Sequence, residues 1–206
     1  YRLPRTAGFL SVEPVVNLDD IVSLGREVAS SGFSALKTNI FLFDDEPHMH
    51  QPGFAGAEGW PELNSSRKVR EALREQLLAF REGAGPDAMI LLDLNFNYKT
   101  EGYLSVTRAL DDLGLGWFEI DLYDPAALAL IRRSVKTPIA SCESLFGLRG
   151  YRPFFEAQAM DVSIVDVPWN GIWQSLKIAF LAESFEVNVA PHNFYGHLST
   201  FMSAHF

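Results

Sequence analysis

The sequence predicts an α/β fold on a parallel sheet, of the (β/α) TIM-type barrel class and incomplete in this chain. Three observations predict it. Short apolar runs alternate along the chain with amphipathic helical stretches, the pattern of strands joined by crossover helices. Three of those runs end in a carboxylate, at Asp93, Glu119 and Glu143, each separated from the next by one strand plus one helix. A long segment rich in Gly, Pro, Asp and Glu follows an early strand, where such folds carry their functional loops.

Taken in order, residues 1–16 are irregular and Pro-bearing. Residues 17–31 place Ile21, Val22, Leu24 and Val28 at helical spacing, with early acids and Gly32 just past the end, so a helix with cap and stop is expected. Residues 33–40, which include Lys37 and Asn39, read as a strand. Residues 41–65 form the long loop and contain His48, His50 and Trp60; a loop of that length inside a compact domain is a lid, a binding loop or a disordered segment. Residues 67–81 read as a helix of mixed charge. The run Met89-Ile-Leu-Leu-Asp-Leu-Asn-Phe then reads as a buried parallel strand ending in Asp93 and Asn95. Helices are expected at 100–113, 125–135 (Pro at its first turn), 149–159, 172–185 and from 197 onward, with strands at 116–119, 137–141, 162–166 and 187–190.

That makes six strands. A closed barrel of this class has eight and about 250 residues, and six would leave two exposed edges. The expected organisation is therefore one partial barrel domain over 1–206, a piece of a longer protein, with its active-face loop at 41–65.

Bulk properties narrow the function. With 206 residues, 48% of them hydrophobic, the chain can bury a sizeable core. A formal net charge of −9 and the lack of any Lys/Arg run argue against nucleic acid and anionic membrane as partners. A single cysteine, Cys142, allows no internal disulfide and fits a reducing, cytoplasmic setting. No apolar run is long enough to span a bilayer.

If the carboxylate-ended strands are neighbours, their acids converge at one end of the sheet. They repel one another unless a cation sits between them, and a hard divalent ion such as Mg²⁺ meets that need.

The residues together resemble the enolase superfamily, and within it the mandelate racemase-like subgroup. The resemblance runs from Ser34 to about His197. Leu36-Lys37-Thr38-Asn39 is similar to the family's second-strand Lys-x-Lys, with Asn39 in place of the second Lys. Asp93-Leu-Asn95 is similar to its third-strand Asp-x-Asn. Glu119 and Glu143 match the fourth- and fifth-strand metal ligands. Asp166 matches the sixth-strand Asp, followed by Asn170-Gly171 where Gly-Gly is usual, and Ala190-Pro-His192-Asn is similar to the seventh-strand His motif. Departures are Ile120-Asp121 after Glu119 where the family commonly has Glu-Pro, Cys142 where Gly is common before the fifth-strand Glu, and the long loop after the second strand. Strands two to seven are thus expected; an N-terminal capping domain and the closing strand are not.

The resemblance implies removal of a proton alpha to a carboxylate through an enediolate. Mg²⁺ on Asp93, Glu119 and Glu143 would stabilise the developing charge, and Lys37 would add a second positive charge. His192 is the expected base, with Asp166 fixing its tautomer. Because Asn39 cannot act as a second base, a one-base elimination is expected: dehydration of a sugar acid to a 2-keto-3-deoxy acid. His48 and His50 are candidate acids and, with Asn39 and Asn95, candidate substrate contacts. The alternative within the superfamily is a racemase or epimerase. A zinc amidohydrolase would need more strand-end histidines, and a non-catalytic binding protein would not need the metal and dyad positions. The expected partner is a small carboxylate; a symmetric homo-oligomer is expected by analogy alone. Each residue also has a plainer reading: strand-end acids cap helices, His48 and His50 face solvent, Trp60 anchors the loop, Trp169 packs near Asp166, His197 and His205 are helix residues, and Cys142 is a small buried residue.

Overall fold

The computed structural model describes residues 12–54 and 65–206. The chain divides into two compact units, Tyr1–Phe118 and Glu119–Phe206.

In the first unit, helix α1 (Leu18–Ser30) starts where the Asn17 side chain accepts the Asp20 N–H, satisfying one of the orphan donors of the first turn. It packs Ile21 and Val22 inward against α2 (Arg67–Ala84), which Ser66 caps in the same way. The two helices approach at backbone distance. A Cβ on Gly25 would lie 2.8 Å from the Phe80 carbonyl oxygen, and one on Gly83 only 2.0 Å from that of Val22, so the crossing needs glycine at both positions. Strand β1 (Ala35–Thr38) is followed by a two-stranded antiparallel ladder of β2 (Phe41–Leu42) and β3 (His48–Met49). Strand β4 (Met89–Asp93) lies parallel to β1, with Thr38 opposite Leu92. Helix α3 (Thr100–Leu110) ends in a 3₁₀ turn, Asp111–Leu113. The Gly116 N–H then donates to the Ile90 carbonyl at 2.8 Å, just before β5 (Trp117–Glu119).

In the second unit, the Ile120 N–H donates to Ala140 of β6 (Ile139–Ser141) at 2.9 Å. Strand β6 lies parallel to β7 (Val162–Asp166), and β7 to β8 (Asn188–His192). The crossovers are α4 (Pro125–Arg132), α5 (Gly147–Glu156), the short α6 (Val167–Asn170) and α7 (Ile172–Ser184); α8 (His197–His205) follows β8. Ile139, Ala140, Val165, Val167, Phe155 and Ile178 are fully buried. Ile139, Ala140 and Val165 lie on β6 and β7, and Val167, Phe155 and Ile178 on α6, α5 and α7, the joint burial that helix cover on a parallel sheet produces.

The six expected strands and their connecting helices are present, with ends that fall within three residues of the sequence reading. Three differences bear on the site. The segment 41–65 is not wholly irregular, because Phe41 pairs with Met49 and Leu42 with His48; Trp60 lies outside the described residues. Strand β8 continues through Pro191 to His192 rather than ending at residue 190. Helix α6 was not expected; Asp166 nucleates it by accepting the Trp169 N–H at 2.8 Å. No described helix is long and apolar enough to cross a membrane.

Candidate active site

Within each unit, the expected site residues gather at the C-terminal ends of parallel strands. In the first unit, Lys37 in β1 places Nζ 3.3 Å from Oδ2 of Asp93, the last residue of β4. The other carboxylate oxygen of Asp93 accepts the Asn95 N–H at 2.9 Å. Asn95 can turn back in this way because it adopts φ +48°, the left-handed region that Asn tolerates better than most residues. The Tyr103 hydroxyl locks the turn by donating to the Asn95 carbonyl at 2.6 Å.

Asn39, one residue beyond β1, is buried. Its amide donates to the Asp93 carbonyl at 3.2 Å and to Oδ1 of Asn95 at 3.0 Å. Behind it stands Gln76 of α2, fully buried. The Gln76 amide donates to Thr38 Oγ1 and to the Asn39 carbonyl, each at 2.8 Å, while its own oxygen accepts the Phe41 N–H at 3.0 Å. One side chain thus satisfies three polar groups where β1 ends, inside a core where an unmet group is costly. Gln76 was not read from the sequence as functional. The signal was available, since it falls on the apolar face of α2 with Val69, Leu73, Leu77 and Phe80.

His48 is exposed, on β3, and its Nδ1 lies 3.0 Å from the Glu46 carbonyl. The backbone at His50 is held by its N–H to the Ile40 carbonyl at 2.9 Å. Near this region an open cleft of about 600 Å³ is walled by Asp19, Asp44, Glu71 and Glu75, with Lys68. None of the expected site residues lines it, and its excess of acids suits a carboxylate ligand poorly.

In the second unit, Glu119 ends β5 almost fully buried, followed by buried Ile120 and Asp121. Glu143 follows β6. Between them in the chain, Cys142 holds φ +90° and is buried, and burial pushes its thiol above the usual cysteine range. That backbone conformation is a reason for glycine at this position.

Asp166 and His192 are directly opposite one another in the β7–β8 register. Nδ1 of His192 lies 2.7 Å from Oδ2 of the fully buried Asp166. Nε2 faces Oε2 of Glu143 at 3.3 Å. Two partners here were missed by sequence reasoning. The Tyr195 hydroxyl donates to the same Oδ2 of Asp166 at 2.7 Å. Desolvation, and next the bond to Asp166, hold the Tyr195 phenol well above the usual tyrosine range, so it is a donor at neutral pH. Asn170 joins the turns after β6 and β7, its amide donating to the Asp166 and Leu145 carbonyls and its oxygen accepting the Gly147 N–H. No sequence pattern marked Tyr195, in a polar turn three residues past the histidine. Trp169 does lie beside Asp166 through its backbone, but its half-exposed ring stacks on Phe146, with centroids 5.3 Å apart and planes at 1°.

Comparison with known proteins decides the family. The profile described as "Enolase C-terminal domain-like" matches residues 20–206. The chain belongs to that family. Its α/β architecture is the barrel-type fold of the family, present in part. A solved structure of a Burkholderia xenovorans strain LB400 protein, described as a candidate L-alanine-DL-glutamate epimerase, superposes with TM-score 0.90 at 53% identity, covering 93% of this chain and 49% of that one. A structure under the same description, bound to magnesium and fumarate, gives 0.89 at 54% identity, covering 93% and 48%. An arabinonate dehydratase of Saccharolobus solfataricus is 29% identical over 186 residues, 87% of this chain and 48% of that protein. The enolase-type chain spans about half the length of the relatives it matches.

Among the described residues, no group of three or more His, Cys, Asp or Glu side chains is arranged to hold a metal ion. Lys37 stands against Asp93 and His192 against Glu143, so two of the expected ligands face cationic or titratable groups of the chain. The donor chemistry nevertheless fits a hard cation. Asp93, Glu119 and Glu143 are all carboxylates, and the first two are buried. Carboxylate oxygens are donors of the kind that Mg²⁺ takes and a soft thiophilic metal does not.

Proposed function

We propose that the complete protein is a Mg²⁺-dependent sugar-acid dehydratase, removing the proton alpha to a carboxylate and then the hydroxyl at the next carbon. The observation that carries the reading is the His192–Asp166 pair, matched by a buried amide, Asn39, where a two-base enzyme would carry a second lysine.

Asp93, Glu119 and Glu143 would hold the ion. When bound, Mg²⁺ supplies positive charge that offsets the negative charge developing on the substrate carboxylate. Lys37, beside Asp93, adds to that field. The Nδ1–H of His192 donates to Asp166, which leaves the lone pair on Nε2, and Nε2 takes the alpha proton. The resulting imidazolium is stabilised by the Asp166 carboxylate. It then returns its proton to the hydroxyl on the adjacent carbon, that C–O bond breaks and water leaves. The enol that remains tautomerises to a 2-keto-3-deoxy acid. This route is a syn elimination; in an anti elimination His48 or His50 would donate the proton instead. Asn95 would present its side chain to the sugar hydroxyls, and Asn39, whose buried amide donates to Asn95 Oδ1, would hold it there.

Epimerisation is the second reading. It is favoured by the 53% identity to the B. xenovorans protein described as a candidate epimerase and would recruit Lys37 as the other base. A panel of sugar acids, with L-Ala-L-Glu included, incubated with the complete protein and Mg²⁺ in D₂O separates the two. The dehydratase reading expects 2-keto acid from one or a few sugar acids, lost on EDTA treatment and restored by Mg²⁺. Alpha-deuterium uptake with inversion and no keto acid would replace it with the epimerase.

A further inference from the structure

We infer that Tyr195 is a positioning residue of the proton-transfer machinery, acting on His192 through Asp166. The inference rests on the reading of His192 as base. Asp166 is fully buried, so water cannot share its charge and its bonds come from the chain. Oδ1 takes the Trp169 N–H at 2.8 Å. Oδ2 takes two donors at 2.7 Å, His192 Nδ1–H and Tyr195 O–H. With both oxygens engaged, the carboxylate cannot rotate, and Oδ2 stays aimed at Nδ1. That fixes the tautomer that leaves Nε2 unprotonated.

Tyr195 is itself held in place. Its N–H donates to Asn193 Oδ1 at 3.3 Å, and the Asn193 amide donates to Thr200 Oγ1 of α8 at 3.0 Å. Its ring meets the His192 imidazole edge-on, with centroids 6.0 Å apart at 82°, and Phe194 flanks the imidazole at 5.5 Å. Ring contact alone would be served equally by Phe. What only Tyr supplies is the hydroxyl on Asp166. The Tyr195 hydroxyl is thus a second short donor on Oδ2, beside the His192 ring.

Tyr195→Phe removes that hydroxyl and keeps the ring. In the complete protein kcat is expected to fall about tenfold with KM within about twofold, the size seen when a supporting bond to a site residue is lost, and Tm should hold. A second readout does not depend on turnover. The chain has five histidines, so ¹⁵N-labelled histidine with a His192→Asn control assigns the His192 ring. Its Nδ1 proton should be slow to exchange and far downfield in the parent protein, and should shift and exchange faster in Tyr195→Phe. An unchanged ring signal with unchanged kcat would overturn the inference. A fall in Tm with kcat and KM drifting together would reduce Tyr195 to a packing residue. If the ring signal responds but the parent protein exchanges no alpha proton on any substrate tested, the Tyr195–Asp166 coupling stands and the dehydratase reading fails.

Discussion

The strand ends of the two units carry opposite kinds of polar group. Beyond β1, Asn39 is buried and its amide donates to the Asp93 carbonyl and the Asn95 side chain; it serves as a brace and cannot take a proton. At the end of β8, His192 is a titratable ring with one nitrogen on a buried carboxylate and the other on the Glu143 side. The difference is in what the side chain can do with a proton, and it separates one-base from two-base chemistry more sharply than the fold does, since the fold is shared by proteins described as dehydratases and as epimerases.

The largest effect should come from breaking the base. His192→Asn keeps a polar group of similar reach on Asp166 but no basic nitrogen. Alpha-proton exchange in D₂O is expected to drop by about 10³-fold, within the range for loss of a general base, with substrate binding by calorimetry little changed. Exchange at the parent rate would move the base elsewhere and dissolve the contrast drawn above.

Converting the brace into a base sharpens the contrast from the other side. Asn39→Lys puts an amine where the family's second lysine stands and breaks the bonds to Asp93 and Asn95. Dehydration should slow roughly tenfold or more, because a misplaced strand end costs rate far beyond its size. A fraction of recovered substrate should be inverted at the alpha carbon, read by chiral chromatography. Complete retention of configuration, with exchange still active, would show that residue 39 does not decide between the two outcomes.

Much of this was legible because parallel sheets impose a simple rule. Apolar runs ending in Asp93, Glu119 and Asp166 are the strands β4, β5 and β7, and the Asp166–His192 pairing follows from neighbouring strands whose ends coincide in register. What escaped the sequence was side-chain partnership across elements. Gln76 is separated from Thr38 by 38 residues and Tyr195 from Asp166 by 29, and neither distance has a local signature. The β2–β3 ladder escaped because two-residue strands among Asp, Glu and Pro have no periodicity to detect.

The smallest effect concerns Cys142, a departure visible in the sequence whose meaning came only from the backbone. At φ +90° a residue with a Cβ is strained by about 1–3 kcal/mol. Glycine would release that strain but lose the burial of a small apolar side chain, about 1 kcal/mol, and would gain flexibility in the unfolded chain. These terms nearly cancel, so Cys142→Gly should shift Tm by no more than a few degrees. Cys142→Val fills the same space but puts a β-branched side chain in a conformation such residues avoid, and should fall clearly below it. A Val variant as stable as the Gly one would mean that the backbone before Glu143 relaxes freely. Glu143 would then be positioned by its own contacts, His192 first among them, rather than by the turn that delivers it.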